Sequence, residues 1–153
     1  MMQTQEKAFK DRFAQMLGGM YRETVPLIRP ESLASFGLNR FVLLDTRAEL
    51  EFQVSHLPGA LRIGYQDFDL AKLTGIAKDQ CIVVYCSVGY RSERIGERLL
   101  NLGYQKVFNL YGGIFAWKNQ GRTVLDGSEM PTQRVHTYNE KWSQWLLNGE
   151  KMY

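Results

Sequence analysis

Hydrophobic and polar positions alternate between two periods along the chain. Residues 41–45, 60–63, 81–86 and 106–110 form short apolar runs and predict strands. The first and third runs are almost continuously apolar, as expected of strands covered on both faces in a parallel sheet. Between the runs, residues 47–54, 66–73, 91–102 and 113–120 carry helical patterns. In the third of these, Ile95, Leu99 and Leu102 recur at helical spacing, and Gly103 supplies a stop. Strands alternating with helices predict an α/β fold with crossover helices. Two further stripes flank this block. Phe9, Phe13, Met16, Leu17 and Met20 share one face of a helix over residues 4–20, and Trp142, Trp145 and Leu146 share one over residues 138–147. Both helices are expected to pack on the sheet or on each other. They also offer a surface through which a homodimer or another protein could dock.

The chain has 153 residues, enough for one domain with its own core. No apolar run reaches membrane-spanning length, and the charged first ten residues lack the apolar centre of a secretory signal. A formal charge of +3 without a dense Lys/Arg run argues against nucleic acid as a partner. Two cysteines, Cys81 and Cys86, are too few for a zinc cage or a disulfide scaffold. A reducing, cytoplasmic setting is expected, with no metal and no organic cofactor. Cys81 precedes Cys86 by five residues. That is about 16 Å along an extended strand, beyond disulfide reach, so Cys81 is expected to be core.

Cys86 ends a buried strand, and Ser87, Val88, Gly89, Tyr90, Arg91 and Ser92 lead from it into a helix. In open parallel sheets, ligands bind beyond the carboxyl ends of strands. Gly89 permits a left-handed backbone that points successive N–H groups inward. The helix start adds unpaired donors and the positive end of its dipole, and Arg91 adds a planar cation. Together they favour a thiolate nucleophile beside an anion pocket.

This loop resembles the active-site loop of the rhodanese-like sulfurtransferases, C-x-x-G-x-R-S. The resemblance continues in Leu44-Asp45-Thr46-Arg47 with Glu49 to Phe52, in Ser55-His56-Leu57-Pro58-Gly59-Ala60 with Ile63, and in Tyr111-Gly112-Gly113 with Ala116-Trp117. It covers residues 25–121. It implies a helical extension over residues 1–24, a rhodanese-like domain over 25–122, and a tail with a helix over 123–153. The family fold is a mostly parallel five-stranded sheet with helices on both faces. Its activity is transfer of sulfane sulfur from an anionic donor such as thiosulfate to a thiophilic acceptor, through a cysteine persulfide. By resemblance Cys86 carries the sulfur, the N–H groups of Ser87 to Ser92 cradle it, and Arg91 attracts the donor. Related phosphatases and arsenate reductases have one more residue in the loop, and the shorter C-x4-R ring here suits a sulfur atom better. A sulfur-relay or protein-interaction module with little small-molecule turnover is the alternative, with a protein as donor or acceptor. Asp45 and Arg47 either support the loop or form a salt bridge or cap. His56 is expected to hydrogen-bond to backbone in its turn, and Ser92 is expected to cap the helix. Arg94 and Arg98 either extend a positive rim or lie on a solvated face.

Overall fold

The computed structural model describes residues 2–153. Five strands form one parallel sheet: β1 (Leu27–Ile28), β2 (Val42–Asp45), β3 (Leu61–Arg62), β4 (Cys81–Tyr85) and β5 (Lys106–Leu110), in the order β1-β5-β4-β2-β3. Every pairing in it is parallel. Side chains alternate across the pleat, so one face buries Leu43, Val83 and Tyr85 and the other Leu44, Ile82 and Val84. Helix α4 (Tyr90–Asn101) covers the second face with Ile95 and Leu99. The first face is covered by α1 (Met2–Met20), α2 (Pro30–Phe36) and α5 (Gly113–Asn119), with Leu17, Leu33, Ile114 and Phe115 fully buried. Helix α3 (Glu49–Val54) follows β2.

The two flanking stripes meet inside the molecule. Phe13 stacks on Trp145 with ring centroids 5.5 Å apart, and Phe9 packs on both rings. The face of α1 that could have met a partner is therefore spent on the chain's own core.

Several expected elements differ. The helix expected over residues 66–73 is only a 3-10 turn, Leu70–Leu73, begun by the Asp69 side chain accepting from the Ala71 N–H. The helix expected over residues 138–147 reduces to α6 (Glu140–Ser143), capped by Asn139. Beyond it Asn119 takes over the backbone: its amide donates to Trp145 O, and its oxygen accepts from Leu147 and Asn148 N–H. Those groups are no longer free to continue a helix. Strand β1 and helix α2 were not anticipated. Nor were two small ribbons in the tail, β6 (Val124–Leu125) with β7 (Pro131–Thr132), and β8 (Arg134–His136) with β9 (Glu150–Met152).

The chain reverses its winding direction at the middle of the sheet. From β2 the next strand, β3, lies on one side, and from β4 the next strand, β5, lies on the other. The crevice between the carboxyl ends of β2 and β4 is thus the switch point where α/β sheets place ligands.

Candidate active site

Cys86 lies at that switch point, one residue past β4, with its side chain buried. The loop after it is shaped by where its carbonyls are held. The Cys86 and Ser87 carbonyls accept from Ile114 and Phe115 N–H at the start of α5, at 3.0 and 3.1 Å. The Val88 carbonyl accepts from the Tyr21 hydroxyl at 2.5 Å. The Gly89 carbonyl accepts from the Asn109 amide at 3.1 Å and from Glu93 N–H. In a trans peptide the C=O of one residue and the N–H of the next point in opposite directions. Four carbonyls tied outward therefore turn the N–H groups of residues 87–90 inward. The Gly89 N–H donates to Cys86 Sγ at 3.1 Å, and the first N–H groups of α4 have no partner within the helix. The Gly89 N–H is thus one of a row of backbone donors on the sulfur's side of the loop, the arrangement of a nest.

Two glycines make the loop possible. Gly89 has φ +119, and a Cβ there would lie 2.4 Å from the Tyr21 hydroxyl. Gly113 has φ +60, and a Cβ there would lie 2.3 Å from the Ser87 carbonyl. Only glycine combines that backbone with that approach.

Arg91 and Ser87 are joined by a residue not singled out from the sequence. Glu51 on α3 accepts from both terminal nitrogens of Arg91, at 2.7 and 2.9 Å, and from Ala48 N–H at 3.1 Å. Ser87 Oγ accepts from Arg91 at 3.1 Å. Burial alone would raise the Glu51 carboxyl, but the Arg91 hydrogen bonds and charge outweigh it and hold it below its ordinary range. Arg91 is thus not a free cation waiting for a donor; its charge is matched by Glu51.

Ser92 does not cap α4. Its hydroxyl donates to Asn109 Oδ1 at 2.6 Å and lies 3.5 Å from Cys86 Sγ. Buried Asn109 on β5 thus links Ser92 to the Gly89 carbonyl. Tyr90 opens α4 on the rim of the site and is 45% exposed.

Asp45 and Arg47 form a fully buried ion pair of 2.7 Å, and Arg47 also donates to the Ser55 carbonyl at 2.6 Å. The salt-bridge reading is the one realised, and the pair braces the turn after β2. His56 Nδ1 meets the Phe52 carbonyl at 3.0 Å, while its ring stacks on Phe52 and its Nε2 lies 3.1 Å from Glu129. Arg94 is taken up by Glu93 and Glu97, and Arg98 lies over Phe68, so neither forms a free positive rim. Cys81 starts β4 at its other end and is a free, partly exposed thiol.

The N-terminal segment completes the site. The Tyr21 hydroxyl accepts from Gly112 N–H at 2.9 Å while donating to Val88, and burial pushes its own ionisation well above the usual phenol range. Glu93, fully buried, accepts from the Arg22 and Glu23 N–H groups and fastens the same segment to α4. Tyr21 and Asn109 carry no motif of their own; only the carbonyls they hold mark them.

Above Cys86 opens a cavity of about 730 Å³. Met20, Glu49, Tyr65, Asp67, Tyr138 and Trp142 line it along with the loop. Among the described residues no His/Cys/Asp/Glu group is arranged to hold a metal, and no helix is long and apolar enough to cross a membrane.

Comparisons with known proteins bear on the family and the fold. A sulfurtransferase of Allochromatium vinosum is 33% identical over 84 residues, which are 55% of this chain and 78% of that protein. A tRNA uridine(34) hydroxylase of Streptococcus thermophilus is 36% identical over 105 residues, 65% of this chain but only 31% of that protein. The solved structure of a thiosulfate sulfurtransferase from Pseudomonas aeruginosa shares the fold with a TM-score of 0.61 at 21% identity, over 80% of this chain and 23% of that one. Residues 31–120 match the model of the rhodanese-like domain, and with that match over more than half its length the chain belongs to the rhodanese-like domain family.

Proposed function

We propose that the protein is a sulfurtransferase that carries sulfane sulfur on Cys86. Family membership and the sulfurtransferase relative support sulfur transfer in general. The observation that carries the finer reading is a loop of inward-turned N–H groups, that of Gly89 donating to Cys86 Sγ, at the floor of an open cavity. In the first half-reaction the Cys86 thiolate attacks the outer sulfur of a donor such as thiosulfate. The donor's S–S bond breaks, sulfite leaves with the bonding pair, and Cys86 is left as a persulfide. The N–H groups of residues 87–92 stabilise the outer sulfur, as preorganised dipoles do where charge develops. In the second half-reaction a thiophilic acceptor attacks that outer sulfur and frees the Cys86 thiolate. Covalent storage between two half-reactions implies ping-pong kinetics.

Arg91 takes a different role from the one its position suggests. Locked to Glu51 and Ser87, it holds the loop wall rather than presenting net charge to the donor. The test is thiocyanate formation from thiosulfate and cyanide. Parallel double-reciprocal lines in the wild type and no turnover in Cys86→Ser are expected, and turnover retained in Cys86→Ser overturns the mechanism.

A further inference from the structure

We propose that the sulfur acceptor is a low-molecular-weight thiol with an aromatic body, seated against Tyr65, Tyr90, Tyr138 and Trp142. This rests on the sulfur-transfer reading above and names the substrate of its second half-reaction.

The first support is size. Cyanide or sulfite would occupy a small corner of a cavity of about 730 Å³. Pockets of about 300–1,000 Å³ are those that enclose drug-sized ligands. The second is chemistry of the walls. Four aromatic rings and Met20 line the space around Cys86, and such surfaces hold flat apolar groups by burial and offset ring contacts.

The third support is Tyr138. It has φ +71, a left-handed backbone that is uncommon for a bulky side chain. The conformation is held by its N–H donating to His136 Nδ1 at 3.0 Å. It places a ring that is 56% exposed on the cavity, with the Arg91 guanidinium 5.6 Å from its centroid. A strained backbone kept at a site mouth points to a contact made there. Met20, Tyr138 and Trp142 all lie outside residues 31–120, so this selectivity belongs to the chain's added segments.

The step balances without an external oxidant. The acceptor thiolate attacks the outer sulfur of the protonated Cys86 persulfide. A new S–S bond forms, the bond to Cys86 Sγ breaks, and its electron pair stays on Cys86 as the thiolate. The acceptor leaves as a persulfide carrying the proton.

The test loads the full chain with thiosulfate and measures discharge, as loss of one sulfur by intact mass and as kcat/KM. Benzyl mercaptan, mercaptoacetate and mercaptoethanol are compared, with rates expressed per thiolate. Benzyl mercaptan is expected to exceed mercaptoacetate by about tenfold or more, from burial of one aromatic ring. In Tyr138→Gly, which suits the left-handed backbone, the ratio of benzyl mercaptan to mercaptoethanol is expected to fall severalfold, and Tyr138→Phe is expected to keep it. Equal or better discharge by mercaptoacetate overturns the inference, as does an unchanged ratio in Tyr138→Gly. So does a protein that loads sulfur and yields thiocyanate but ignores all three thiols, which points to a protein acceptor and leaves the sulfur-transfer reading standing. A chain that never loads sulfur overturns both.

Discussion

Tyr21→Phe isolates the link between the N-terminal segment and the active-site loop. The substitution keeps the ring and deletes one oxygen. That oxygen makes two hydrogen bonds, donating to the Val88 carbonyl at 2.5 Å and accepting from Gly112 N–H at 2.9 Å. Each such bond contributes about 0.5–1.5 kcal/mol net, and a buried partner left unpaired costs about 1–3 kcal/mol. The expected loss of stability is therefore about 2–3 kcal/mol. For a chain of this size that corresponds to a fall in Tm of about 4–12 °C, read by thermal unfolding followed by circular dichroism. The consequence at the site is separable. With Val88 O released, the peptide that carries the Gly89 N–H is free to rotate away from Sγ, and sulfur loading from thiosulfate slows at a temperature where the variant is fully folded. A second variant checks the geometry. Gly89→Ala meets both an unfavourable φ and the Tyr21 ring, so adding Tyr21→Ala relieves the steric part only, giving a non-additive cycle. A Tm change below about 1 °C together with unaltered loading in Tyr21→Phe would refute the carbonyl-clamp account.

Three other outcomes are expected. Glu51→Gln removes the charge that matches Arg91. It lowers KM for thiosulfate severalfold, because an unmatched guanidinium attracts each donor charge by about 1 kcal/mol in a watery cavity, and it lowers stability in urea titrations; an unchanged KM would contradict the pairing. Leu17→Ala on α1 costs about 2–5 kcal/mol, because Leu17 is fully buried in the main core, and a loss under about 1 kcal/mol would mean that α1 is not integral to the fold. Stability falls in two stages on acidification. Burial depresses His136 below 6.5, so the unfolded chain binds its proton first and stability declines as pH drops from 6.5 toward the depressed value. Glu51 is depressed below 4.5, so its contribution is present above 4.5 and is lost as pH falls through its folded value. Urea midpoints across pH check both, and the upper stage is expected to vanish in His136→Gln.

The sheet and the cysteine loop were legible because strong local patterns match the environments that impose them. Near-continuous apolar runs at residues 42–45 and 81–85 reflect strands buried on both faces. The four ordered motifs located Cys86, and the loop glycine stands where a Cβ would strike Tyr21. Strand β1 has only two residues, too short for any period to register. The tail resisted for a different reason. Its aromatic spacing is helical, yet Asn119, distant in sequence, captures the backbone that would have extended the helix. The same holds at the site. Glu51, Tyr21 and Asn109 act through hydrogen bonds to partners 40, 67 and 20 residues away. Such partnerships exist only once the sheet has formed. The pairing of Arg91 was likewise invisible in its motif, since its partner Glu51 sits on another helix.

The most direct test of the central claim is intact mass after exposure to thiosulfate, in wild type and Cys86→Ser, followed by cyanide or dithiothreitol. The expected result is a gain of one sulfur atom on the wild type alone, removed by either reagent. A gain of equal size on Cys86→Ser, or none on the wild type with any sulfane donor, would contradict sulfur carriage by Cys86.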